Sequence, residues 1–195
     1  MTKVYVGTSG YSYKDWRGTV YPESASPSEF LSLYSREFRF VELNFPYYRQ
    51  PTSGMCASFL EKTPRDFVFA VKAHRSMTHD RKEDWRRGAE EFRAGIAPLE
   101  ESGRLAAVLL QFPYSFHRTR ENRLYLADLC AHLKGLPLAV EFRGRDWQAP
   151  EVEEGLAERG ITAVNVDAPG LDNLPAPSEA VTAPLGYIRF HGRNE

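Results

Sequence analysis

Seven short apolar runs recur along the chain: 3–8 (KVYVGT), 38–43 (FRFVEL), 67–73 (FVFAVKA), 105–112 (LAAVLLQF), 138–142 (LAVEF), 161–166 (ITAVNV) and 187–190 (YIRF). Between most of them lie segments with apolar residues at helical spacing, at 27–37, 52–62, 84–101, 119–133 and 150–159. Ser26-Pro27 with Glu29 signals a helix start, and Gly103, Gly135 and Gly160 fall where helices need a left-handed cap. Strand–helix alternation predicts parallel strands joined by right-handed crossovers. A doubly wound nucleotide-binding sheet would need a Gly-rich turn opening a helix after the first strand, and GTSGYSY lacks the G-x-G-x-x-G spacing. The expectation is α/β, a TIM-like (β/α) barrel, as one domain over residues 1–195. Residues 168–186, rich in Pro and small side chains, read as a long loop.

The strands break the hydrophobic rule in one place. Parallel strands covered on both faces should be apolar throughout, yet here they turn polar at their C-terminal ends. The first carries Thr8 and Ser9, the second Glu42 and Asn44, the third Lys72 and His74, and the fourth Gln111. The fifth carries Glu141 and Arg143, the sixth Asn165 and Asp167, the seventh Arg189 and His191. Period-two pairs point to one side of a sheet, and unpaired buried charge is costly. In a barrel these strand ends form the mouth where barrel enzymes place their chemistry, so a polar, anion-receptive site is expected there.

Composition narrows the partners. A formal net charge of −1 gives no whole-molecule field towards nucleic acid or membrane, so anion binding must come from a local cluster. The two cysteines, Cys56 and Cys130, form no CxxC pair and read as buried free thiols of a reducing compartment. No apolar run approaches the ~20 residues of a membrane span. A soluble cytoplasmic protein with no membrane partner is expected.

The blocks VGTSGYSYKDWRGTVYP, VELNFPYYRQP, FVFAVKAHRSMTH, LLQFPYSF, AVEFRGRDW and YIRFHGR come in an order that resembles the DUF72 (YecE-like) family. The resemblance spans essentially the whole chain and implies a TIM-like barrel of uncharacterised activity. It also implies a further helix, a last strand with an asparagine-rich motif and a final helix beyond the HGR block. Typical barrels need ~250 residues, so the expectation is a truncated chain, or a barrel left open between its first and seventh strands. Such an open edge would invite association with a partner.

Three functions compete. In a metal-assisted phosphoesterase or hydrolase, Glu42, His74, Glu141, Asp167 and His191 would supply donors for a divalent metal, which activates water. Lys72, Arg143, Arg189 and Arg193 would clamp the phosphate ester or sugar phosphate, with Ser9, Tyr11, Asn44, Gln111 and Trp147 as further substrate contacts. Metal-free acid–base chemistry would use Glu42 and Glu141, or one of the histidines. A non-catalytic nucleic-acid or nucleotide binder would instead stack bases on Tyr11, Tyr13, Trp16, Tyr47, Tyr48, Tyr114, Phe116 and Trp147.

Overall fold

A computed structural model describes residues 2–81, 84–167 and 175–192. Its strands are β1 (Gly7–Ser9), β2 (Phe40–Leu43), β3 (Val68–Lys72), β4 (Leu105–Phe112), β5 (Leu138–Phe142), β6 (Thr162–Asp167) and β7 (Tyr187–Phe190). Its helices are α1 (Phe30–Glu37), α2 (Ser53–Glu61), α3 (Trp85–Glu101), α4 (Arg120–His132) and α5 (Pro150–Ala157). The strand order runs β1 to β7, each bonded to the next in sequence. Parallel pairing in sequence order, with a helix after each of the first five strands, is the (β/α)-barrel arrangement, here with β1 and β7 ending the order. The fold is therefore α/β and TIM-like, with seven strands. No helix among the described residues is long and apolar enough to cross a membrane.

The chain divides into two compact units, Met1–His74 with Glu90–Ala107, and Arg75–Ala89 with Val108–Glu195. In the first unit, β3 is buried from Phe69 to Val71 as a parallel strand covered on both faces should be. Tyr34 of α1 is fully buried, and its hydroxyl accepts from Thr8 N (2.8 Å) while donating to Phe40 O (2.9 Å). One hydroxyl thus ties β1 to β2. Arg104 is buried by neutral partners: Nε donates to Phe67 O (2.7 Å) and an η-nitrogen to Leu60 O (3.1 Å), near the C-terminus of α2, where a cation is favoured. Pro98 inside α3 cannot donate to Ala94 O, and the Ser53 hydroxyl fills that vacancy at 2.9 Å. At Gly95 a Cβ would sit 2.2 Å from Pro51 O, so only glycine lets these backbones approach.

In the second unit, β4 and β5 pair from Val108↔Leu138 to Phe112↔Phe142. Rings of Phe112, Phe116, Trp147 and Phe142 stack in succession, at centroid distances of 4.1, 5.3 and 4.2 Å. After β3 the chain makes a π-helical turn, Ser76–Asp80, that ends at Arg81 with φ 44°, a left-handed backbone uncommon for a side-chain-bearing residue. Its guanidinium lies over Phe116 and Tyr125, 4.8 and 5.7 Å from the ring centroids, and donates to Asn122 Oδ1 at 2.7 Å. The described part of the expected long loop, 175–186, is clipped by two side-chain amides. Gln148 bonds both N and O of Ala176 (2.9 and 2.6 Å), and Asn165 bonds both N and O of Ala180 (3.0 and 2.9 Å).

Candidate functional site

The second unit gathers polar side chains around Glu141, which β5 carries into the interior with no exposed surface. Gln111, its register partner on β4, donates to Oε1 at 2.9 Å. Arg143 Nε lies 3.3 Å from the same oxygen, and His191 Nε2 lies 3.6 Å away. Arg189 of β7 donates to Oε2. Burial alone would push the Glu141 carboxyl up. The nearby His191 ring, the hydrogen bond and charge of Arg189 and the charge of Arg143 outweigh it and hold the pKa down at about 2. Glu141 is thus a permanent anion with both oxygens engaged, an anchor and not a group poised to exchange protons with a substrate. One carboxylate thus holds two guanidiniums and an imidazole. Arg143 keeps 43% of its side chain exposed, against 11% for Arg189. It is the cation within reach of a solute.

The first unit builds a cluster of different character on β1 and β2. Ser9 and Glu42 are register partners, and Ser9 Oγ donates to Glu42 Oε1 at 2.8 Å. Asn44 Nδ2 donates to Ser9 Oγ. Gly10, at φ 97°, turns the chain after β1 so that the Tyr13 hydroxyl folds back onto Ser9 O. Lys72 of β3 lies over the Tyr47 ring, 4.4 Å from its centroid.

The remaining candidates fall as follows. Asp167 ends β6 half-buried, and its carbonyl accepts from His191 N at 2.9 Å. His74 is half-buried just after β3, and Tyr11 is half-buried with its carbonyl accepting from the Tyr21 hydroxyl at 2.6 Å. Arg193 lies outside the described residues. Trp147 departs from the expected substrate contact. It is 4% exposed, sandwiched between Phe116 and Phe142, and its indole N–H donates to Phe116 O at 2.5 Å. Phe116, expected as a stacking platform, is likewise buried in the core. Both cysteines are buried thiols, pushed up to about 11 for Cys56 and about 12 for Cys130 by burial.

Among the described residues no group of three or more His, Cys, Asp or Glu is arranged to hold a metal ion. Glu141, the most buried of the proposed donors, already spends its oxygens on guanidinium and amide groups. The donor set does not suit a divalent ion. Tyr13, expected only as a stacking ring, turns its hydroxyl back onto Ser9 O through the turn at Gly10.

The family model described as "Protein of unknown function DUF72" matches residues 5–195. The chain belongs to the DUF72 family. The UPF0759 protein YunF of Bacillus subtilis is 34% identical over 205 residues, an alignment covering 98% of this chain and 71% of that one. A DUF72 family protein from Thermotoga maritima shares the fold at TM-score 0.87 and 45% identity, covering 98% of this chain and 75% of that one. Another from Enterococcus faecalis gives TM-score 0.84 at 28% identity, covering 97% and 71%. The two solved structures share this chain's fold, and the family description states no activity.

Proposed function

We propose that this DUF72 protein is an enzyme acting on a small phosphate ester or sugar-phosphate-like anion, bound at the ends of β5 and β7. The observation that supports this reading is the gathering of cationic side chains on Glu141, with Arg143 left 43% exposed. The buried carboxylate holds Arg143, Arg189 and His191 together. Arginine forks suit phosphate oxygens, and an imidazole beside them is suited to moving a proton at neutral pH. Glu141 acts as a positioning residue: it aims the arginines and holds the His191 ring beside them. The chemistry is assigned to side chains alone. A non-catalytic nucleotide-binding reading has less support, since Phe116 and Trp147 are packed inside.

The test is calorimetric titration of inorganic phosphate and glycerol 3-phosphate into wild type and Arg143→Ala, with turnover of p-nitrophenyl phosphate measured in parallel. Millimolar binding, weakened about tenfold or more in the variant (roughly 1.4 kcal/mol or more), supports the reading. Absence of binding by the wild type, or affinity unchanged in Arg143→Ala, rules it out. Binding without turnover would retain the site and remove the phosphoesterase.

A further inference from the structure

In the second unit, the face of the sheet opposite Glu141 is incompletely covered. Val140 and Phe142 flank Glu141 on β5 and so project to the other side, as does Ala163, the register partner of Val140 on β6. A parallel sheet needs cover on both faces. Here α5 supplies part of it through Val152 and Leu156, four residues apart and so on one stripe of the helix. The crossover from β6 to β7 would supply the rest, but its described residues, 175–186, form no helix. They are held by side-chain amides instead. Gln148 grips Ala176, and Asn165, whose Oδ1 also accepts from Ser178 Oγ at 2.5 Å, grips Ala180. A segment suspended on side chains does not close down on the sheet. A cleft of about 530 Å³, its open side included, lies between this segment, α5 and the strands. Phe142, Val152 and Ala163 line it and are only half-buried, so a solute can reach them.

We propose that this cleft binds a small organic ammonium ion, an amine carrying one apolar ring or a short branched chain. Its walls, Val140, Phe142, Val152, Leu156 and Ala163, are apolar, and they favour a group that sheds water on entering. Among the described residues lining the cleft, Glu153 alone carries a charge, and it is exposed on α5 next to Val152. An ammonium can meet that carboxylate while it stays partly hydrated, as its apolar group enters. An anion is disfavoured, because no Lys, Arg or His lines the cleft among the described residues. A strongly polar neutral ligand is disfavoured as well. The Gln148 amide, the Ser178 hydroxyl and the Trp147 indole N–H are already bonded within the protein. The phosphate reading concerns the opposite face of the sheet, so this proposal does not rest on it.

Saturation-transfer NMR and calorimetry on the full chain test it with benzylamine, benzyl alcohol and benzoate, which share one ring and differ in charge. Wild type is expected to bind benzylamine at millimolar affinity, about threefold or more tighter than benzyl alcohol, with benzoate weakest. Glu153→Gln, at an exposed position, is expected to bring benzylamine to the level of benzyl alcohol while leaving the alcohol unchanged. Val152→Trp, which fills the cleft, is expected to abolish binding of the amine. Should that chain fail to fold, movement of the Val152 and Leu156 methyl signals as benzylamine is added to wild type locates the ligand instead. The proposal is overturned if benzylamine does not bind, or if benzyl alcohol or benzoate binds as tightly. It is equally overturned if Glu153→Gln keeps the preference, if a folded Val152→Trp binds as well as wild type, or if those methyl signals stay still. Loss of the amine result with phosphate binding intact removes this cleft only. The reverse outcome removes only the anion site.

Discussion

Two glutamates occupy matching places, each buried near the C-terminal end of its strand, and their surroundings differ. Glu42 accepts a hydrogen bond from a serine hydroxyl that is itself oriented by an amide. Glu141 is set among two guanidiniums and an imidazole. The same side chain therefore does two jobs: near Ser9 it completes a directional relay of neutral donors, and near Arg189 it is the hub of a cationic group. Residue type at a strand end marks a polar place in the fold, and the partners set its character.

The most disruptive test of this contrast is truncation of each hub. Glu141→Ala strands two buried or half-buried guanidiniums, and it is expected to cost about 3–5 kcal/mol in urea unfolding followed by circular dichroism. A loss below about 1 kcal/mol would show that the cations do not depend on it. Next comes acid titration. The Glu141 pKa of about 2 lies below the ordinary 4.5, so its contribution is complete above about pH 4.5 and is lost as pH falls towards 2. From that shift the loss is roughly 3 kcal/mol, read as a falling unfolding midpoint over that window and flattened in Glu141→Gln. Glu42→Gln should cost less, about 1 kcal/mol, because the Ser9 hydroxyl can donate to the amide oxygen as well. If it cost as much as Glu141→Ala, the two hubs would be equivalent and the contrast would fail. Smallest in stability is Arg143→Ala, expected within about 1 kcal/mol of wild type because the pair is part-exposed, while its phosphate affinity falls as described above.

Much of this was legible in the chain. The predicted strands 105–112, 138–142 and 187–190 coincide with β4, β5 and β7, and period-two spacing brought Glu141, Arg143, Arg189 and His191 into one cluster. The first strand was not read correctly. Val4 and Val6 suggest a strand from residue 3, but pairing starts at Gly7, opposite Phe40, where β2 itself begins. Residues Val4 and Val6 are 81% and 69% exposed. An apolar run needs a partner strand of matching extent, and that extent belongs to the neighbour. Trp147 shows a similar dependence on context, since only the assembled fold shows its ring packed against Phe116 and Phe142. The π-helical turn at Ser76–Asp80 has no compositional signature at all.

The amide clips on the 175–186 segment bear on how such a protein can change over time. Gln148 and Asn165 grip the main-chain atoms of Ala176 and Ala180, and a main-chain grip is indifferent to the side chain it passes. Substitutions at 176 and 180 that keep the backbone path should therefore accumulate freely, whereas the two amides should resist replacement. That asymmetry places the memory of the loop's path in residues outside the loop.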